Sequence, residues 1–154
     1  MAILPGERTA NVKESLFRYI EANYTLTSLV FQGQDVLDTT SLTEWIEVVL
    51  ASRTSDFVRQ VTSGNAGEIA RYVLSTVLYK KPSDNIFRID LMRDTIVNLL
   101  RRAFIPVYNY AGNAEQIGSI RSDGVIAEGP AFFENDLNIV PVRFGFSWVE
   151  EYTV

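Results

Sequence analysis

Cysteine and histidine are both absent from this chain of 154 residues. The first absence removes disulfides, thiolate nucleophiles and zinc–thiolate centres together, and leaves the redox compartment unspecified. The second removes the imidazole base, the Ser-His-Asp and Cys-His arrangements and the imidazole metal ligand. An enzyme built from this sequence would have to run on carboxylates, Lys, Tyr or backbone dipoles alone. A non-enzymatic role is therefore expected, and no catalytic residue is assigned. Positive charge is scarce as well: 14 Lys and Arg stand against 19 Asp and Glu, a net charge of −5. That balance argues against a large sequence-independent affinity for nucleic acid, which needs many phosphate-neutralising cations. No uncharged apolar run approaches a membrane span, and residues 1–7 lack the basic flank and apolar length of an export signal. A soluble protein made in the cytosol is the expectation.

Motifs that carry chemistry are equally sparse. The carboxylates come as Asp35 with Asp38, Glu44 with Glu47, Glu134 with Asp136 and Glu150 with Glu151. Asp35 and Asp38 lack the further oxygen ligands and the glycine of a calcium loop, so no metal site is assigned. Residues 63–67, Ser-Gly-Asn-Ala-Gly, form a turn signal rather than a phosphate loop, because no Gly-Lys-Ser/Thr follows. Tyr72, Tyr79 and Phe87 suggest an aromatic platform for single strands, but the basic groove it requires is limited to Lys80, Lys81 and Arg88; core packing is the better account of these rings. No cofactor box is present, and none is expected.

What the chain does contain is secondary-structure pattern, clearest over residues 69–102. Residues 69–79 are rich in β-branched and aromatic side chains and read as a long strand. Pro82 cannot donate to a ladder and biases Lys81 toward extended backbone, so the strand should end near Lys80. Ser83 or Asp84 then offers a helix cap, and Ile86, Ile89, Ile96 and Leu100, widened by Met92, Val97 and Leu99, make one buried stripe. Arg88 with Asp84 and Arg93 with Asp90 have the spacing of weak surface pairs. An earlier helix is signalled by Val12, Leu16, Ile20 and Tyr24, with Asn11 and Glu14 as a weak capping box, although it has room to begin near Gly6.

Between and after these helices the patterns are shorter. A strand centred on Leu29, Val30 and Phe31 is closed by Gly33, and residues 42–51 form a stronger one. Residues 52–68 turn polar, with Phe57, Arg59 and Val61 embedded among them. They read as two short strand pieces or a long hairpin tip, and either as a mobile surface loop or as an arm that orders against another subunit. Residues 104–108 are a short strand that Pro106 places at an edge or at its own start. Residues 112–124 mix turn residues with Ile117 and Ile120, and residues 125–127 suggest another short strand. A loop follows in which Phe132 and Phe133 form either a tucked hydrophobic plug or a subunit contact. Val140, Val142, Phe144, Phe146 and Trp148 alternate with small or polar residues, the cleanest strand in the chain; Gly145 within it marks a bend, a bulge or a close approach. The order is helix, two or three strands, helix, two or three strands. It predicts a single α+β domain over residues 1–154, with a mainly antiparallel sheet and two principal helices packed on one face.

That order resembles the tail terminator, or tail-completion, proteins of tailed bacteriophages. The resemblance rests on the first helix, the strand over 45–50, the polar arm, the long strand leading through Tyr79-Lys80-Lys81-Pro82 into one helix, and the closing aromatic strand over 142–148. It implies a virion structural subunit of tail and neck, assembled in the host cytoplasm. Copies would close into a homo-oligomeric ring, with six subunits expected. The ring would cap the tail tube, end its polymerisation and join it to the head connector, with tube protein and connector as partners. Genome DNA would pass through its lumen without specific binding, and surplus carboxylates there would repel phosphates, consistent in sign with the net charge. A closed ring needs a heterologous interface. Phe57, Arg59 and Val61 of the arm, with Phe132 and Phe133, are the candidate interface residues. The alternatives are another neck or tail component, or a small ligand-binding or regulatory α+β domain, which would show a convergent apolar pocket.

Overall fold

In the computed structural model the described residues are 5–33, 42–62, 65–83, 85, 87–110 and 114–153, with side chains described outside 5–8, 52–69 and 149–153. The element order is α1 (Pro5–Asn23), β1 (Ser28–Phe31), β2 (Glu44–Thr62), β3 (Asn65–Lys80), α2 (Arg88–Leu100), β4 (Phe104–Tyr108), β5 (Gln116–Glu128), β6 (Phe132–Glu134) and β7 (Leu137–Thr153). The α+β expectation holds. One sheet runs in the order β1-β2-β3-β7-β5-β4, with β6 paired to β7, and every pairing is antiparallel except β1 with β2.

The sheet is curled, and α1 is what it curls around. Phe17 of α1 packs its ring 4.9 Å from that of Phe31 in β1, at one end of the strand order. At the other end, Ser15 Oγ accepts a hydrogen bond of 3.0 Å from the Tyr108 amide of β4. Six strands laid flat would hold those edges about 24 Å apart, beyond the roughly 10–12 Å width of a helix. Only a curled sheet lets one helix touch both edges. The second helix packs on β3, β7 and β5.

Alternation decides which residues face the helices. Leu74, Leu78, Val142, Phe144 and Phe146 are buried in the same cluster as Val12, Leu16 and Ile20 of α1 and Met92, Ile96 and Leu100 of α2. The last three recur every four residues, which puts them on one helical stripe. Thr76 sits fully buried among them, its hydroxyl satisfied by donating to the Val142 carbonyl at 2.9 Å. The Tyr72 hydroxyl is also buried but has no hydrogen-bond partner among the described residues. Removing an unsatisfied buried hydroxyl relieves its desolvation, so Tyr72→Phe should raise stability by about 1 kcal/mol. A lower melting temperature in that variant would show that the hydroxyl has a partner.

Several expectations are corrected. The first helix starts at Pro5, so Asn11 lies inside α1 and is not a cap; its side chain reaches instead to the backbone beyond β4. The second helix starts at Arg88, with Phe87 at its cap position and no side-chain cap bond. Ser83 acts before the helix, accepting from the Asn85 amide, and Asn85 Oδ1 in turn accepts from the Phe87 amide. Asp84 and Ile86 lie outside the described residues. Of the two expectations for residues 52–68, the long hairpin holds and the two short pieces do not: β2 and β3 pair out to Thr62 and Asn65, and β7 accompanies β3 to Thr153. The arm is a three-stranded ribbon within one chain.

Residues 116–128 are one strand rather than turn residues followed by a fragment. The glycines that read as turns have other duties. Gly124 adopts φ +92° at a register shift against β7, a conformation that favours glycine, and Gly118 lies against the Trp148 indole. Strand β6 replaces the loop expected at Phe132 and Phe133. It is joined to β7 through Asn135 and Asp136, both with positive φ (51° and 59°), as a two-residue type I′ hairpin requires. Among the described residues there are thus seven strands, three before α2 and four after it.

Candidate subunit-interface surfaces

Each sheet edge is finished differently. Strand β4 is an edge strand, where Pro106 is tolerated, and its outer side is covered by α1: Ser15 accepts from the Tyr108 amide, and Asn11 Oδ1 accepts from the Tyr110 amide at 3.0 Å. Asn11 and Ser15 are correspondingly buried. Covering an edge with a helix removes a template for strand addition. Strand β5 is paired with β4 only as far as Arg121, and the Ser122 amide bonds the Ala103 carbonyl. From Asp123 to Glu134 no strand among the described residues pairs with its outer edge.

That open edge carries four of the seven exposed large apolar side chains among the described residues. Val125 is 37% exposed, Ile126 52%, Phe132 44% and Phe133 59%. Ile126 is the extra residue of a bulge and lies over Gly145, where an added Cβ would stand 3.1 Å from its Cγ2. The close approach signalled by Gly145 is thus that of a side chain. Phe132 and Phe133 are not a plug, because β6 holds them in a hairpin whose outer side meets solvent. Four exposed apolar residues thus lie within nine positions of an unpaired edge, Val125 and Phe133 on one face of the sheet and Ile126 and Phe132 on the other, and an unpaired apolar edge is adhesive. A smaller exposed pair, Phe87 and Leu91, lies one turn apart at the start of α2.

Behind Phe132, the sheet face turned away from the helices is also apolar. The cross-strand row Trp45–Tyr79–Ile139–Phe132 follows from the register, and its neighbour Ile46–Leu78–Val140 belongs to the core face. Trp45 and Tyr79 stack with centroids 5.1 Å apart. The Tyr79 hydroxyl donates to Glu47 Oε2 at 3.3 Å. Burial, with the nearby Glu47 charge second, pushes the Tyr79 phenol up to about 12. The folded chain therefore keeps this proton where the unfolded chain loses it, near pH 10. The resulting stabilisation is complete below pH 10 and is lost as pH rises from 10 toward 12. Tyrosinate absorbance should show a phenol titrating near pH 12 that disappears in Tyr79→Phe, and that variant should lose less stability across the same window.

Tyr72 and Tyr79 alternate to opposite faces, and Phe87 is 71% exposed at the start of α2, so the three rings assemble no platform. Of the expected surface pairs, that of Arg88 with Asp84 lies outside the described residues and that of Arg93 with Asp90 is replaced. Arg88 reaches across to Glu44 of β2, with Nε 3.0 Å from both carboxylate oxygens and one terminal nitrogen 2.6 Å from Oε1, and these bonds raise its pKa. Arg93 bridges Asp94 at 2.9 Å and Glu128 at 2.8 Å rather than Asp90. Of the candidate interface residues, Phe57, Arg59 and Val61 lie in β2, but their side chains fall outside the described residues, as do Asp35 and Asp38 entirely. Sequence reasoning missed Val125 and Ile126, whose signal was an apolar pair close to Gly129 and Pro130. No group of three or more carboxylates among the described residues is arranged to hold a metal, and no described helix is long and apolar enough to cross a membrane.

No family model matches the chain, and no curated protein matches it. Twenty-three chains of solved structures do match. One of them superposes with a TM-score of 0.61 over 96% of each chain at 9% identity, under a name that carries no function. At that identity the likeness shows the fold alone.

Proposed function

We propose that this chain is a non-enzymatic virion structural subunit that closes into a ring, six copies being the expected number. The ring would cap a phage tail tube, end its polymerisation and join it to the head connector. The observation that carries the reading is the asymmetry of the sheet edges: the β4 edge is sealed by α1, while residues 123–134 are unpaired and carry Val125, Ile126, Phe132 and Phe133. A surface of this kind suits a head-to-tail contact, in which one patch meets a different patch on the next copy and the rotation closes a ring. The arm formed by β2, β3 and β7 is the natural candidate for the complementary patch, because it carries the outer edge of β2 past Val48, where β1 stops. The resemblance in element order to tail terminators supports the same assembly.

Light scattering tests it. Alone or with tube protein, the chain should have the mass of several copies, near six. The double variant Phe132→Asp, Phe133→Asp should fall to monomer while its melting temperature stays close to the parent's, because both side chains are exposed and surface changes of this kind alter stability by about 0.5 kcal/mol or less. A chain that stays monomeric at every concentration and ignores tube protein would contradict the proposal.

A further inference from the structure

The three cations that the sequence offers at the strand-to-helix joint, Lys80, Lys81 and Arg88, line one pocket of about 380 Å³ with Thr43, Glu44 and Ser83. They are not equivalent there. Lys80 ends β3 on the core-facing side, in register with Glu44, and is 5% exposed. Its ammonium donates to Ser83 Oγ at 2.6 Å and to the Lys81 carbonyl at 3.1 Å. Both acceptors are neutral. They satisfy two of its three N–H bonds and none of its charge, and a buried ammonium without a counter-ion is unfavourable.

Glu44 does not supply the missing charge. Its carboxylate is held by Arg88, so those two charges cancel each other. No carboxylate among the described residues lies within ion-pairing distance of Lys80 Nζ. The hydrogen-bonding balance points the same way. Ser83 Oγ already accepts from Lys80 and from the Asn85 amide at 3.3 Å, which leaves its own proton to donate. Asn85 uses its carbonyl oxygen on the Phe87 amide, which leaves its NH2 to donate. What remains unused among the described residues is the Lys80 charge and a set of donors, while Glu44, the only described carboxylate that lines the pocket, is engaged.

We propose that this pocket binds a carboxylate, with Lys80 Nζ and Ser83 Oγ as its principal donors and Asn85 beside them. One carboxylate charge balances one ammonium, two oxygens answer the converging donors, and Pro82 offers an apolar wall for the carbon stem behind them. The proposal is independent of ring assembly. Its ligand is either a free small acid or the side chain of an acidic residue on another chain, and the two share this chemistry.

Amide chemical shifts of the full chain, titrated with sodium acetate against sodium chloride at matched ionic strength, test it. Saturable acetate shifts are expected at Ser83 and Asn85. They should vanish in Lys80→Met, which keeps the methylene stem in place, and weaken in Ser83→Ala, a change at an exposed position. A capped Gly-Glu-Gly peptide separates the sources: shifts with acetate alone assign a free acid, and shifts with both assign a side chain. Asp84 adjoins the pocket in sequence, so the titration is repeated in Asp84→Asn. Binding seen only in that variant would mean that the chain's own carboxylate fills the pocket and would overturn the proposal. So would shifts no larger than those with chloride, or acetate shifts unchanged in Lys80→Met and Ser83→Ala.

Discussion

Replacing Gly118 with alanine should lower the free energy of unfolding by about 2–3 kcal/mol, the range of overpacking in a core that cannot yield. The residue lies on the same side of β5 as Ile120, which is fully buried, and the Trp148 indole occupies the space where its side chain would be. An added Cβ would overlap the indole nitrogen and stand 2.9 Å from Cε2. Trp148 is 3% exposed and belongs to the core cluster, so it has no solvent side to move toward. Urea unfolding should show a lower midpoint with an unchanged slope, because the native state is strained rather than expanded. Trp148→Phe in the Gly118→Ala background should cost less than Trp148→Phe alone, since the smaller ring vacates the contested space. Equal costs in the two backgrounds would mean that the indole is not what Gly118 accommodates.

The second large effect is expected where α1 seals the sheet. Replacing both Asn11 and Ser15 with alanine removes the acceptors of the Tyr110 and Tyr108 amides, each held at 3.0 Å. A part-buried amide left unpaired costs about 1–3 kcal/mol, so the pair should lower stability by about 2–4 kcal/mol, allowing for coupling between neighbours. Hydrogen exchange at Tyr108 and Tyr110 should accelerate more than at residues of β7, because the β4 edge opens before the core does. Replacing Glu14 alone with alanine is the control. It pairs with Arg18 on the same helix, with about half of each side chain exposed, and the unfolding midpoint should barely move. If the control lost as much as the Asn11 and Ser15 variant, the helix itself rather than the sealed edge would account for the loss.

The parts of the fold that could be read from sequence are those where a single period governs a run of residues. Val142, Phe144, Phe146 and Trp148 alternate without exception and are all buried. Met92, Ile96 and Leu100 repeat every four residues and face the core together, and Pro106 correctly placed β4 at an edge. Legibility failed where a residue type serves two ends. Gly118 and Gly124 read as turn residues because glycine is common in turns; in β5 one makes room for an indole and the other allows a bulge. Asn11 has the chemistry of a helix cap, and it uses that same carbonyl oxygen across 99 residues of sequence to bond the Tyr110 amide. One ion pair was misread for a related reason. Spacing along a helix suggests Asp90 for Arg93, whereas tertiary folding brings Glu128 of β5 within 2.8 Å.

The same distinction applies to the surfaces. Phe132 and Phe133 were recognisable as candidates because adjacent phenylalanines outside a helix are conspicuous, but nothing local indicated that Val125 and Ile126 share their edge. That needed β5 and β6 to lie end to end along β7, a tertiary arrangement. The pocket at Lys80 was visible in part, since its three cations were the only basic cluster at the strand-to-helix joint. That Glu44 neutralises Arg88 and leaves Lys80 without a counter-ion depends on the β2–β3 register.

The central claim is that the chain ends a polymer by closing into a ring on it. Electron microscopy of tail tubes grown from tube protein with and without this chain tests that claim most directly. The account predicts rings of defined subunit number at one end of each tube and no further growth at that end, with both effects lost when Phe132 and Phe133 are changed to aspartate. Tubes that lengthen equally in the presence of the chain, with no density added at either end, would contradict it.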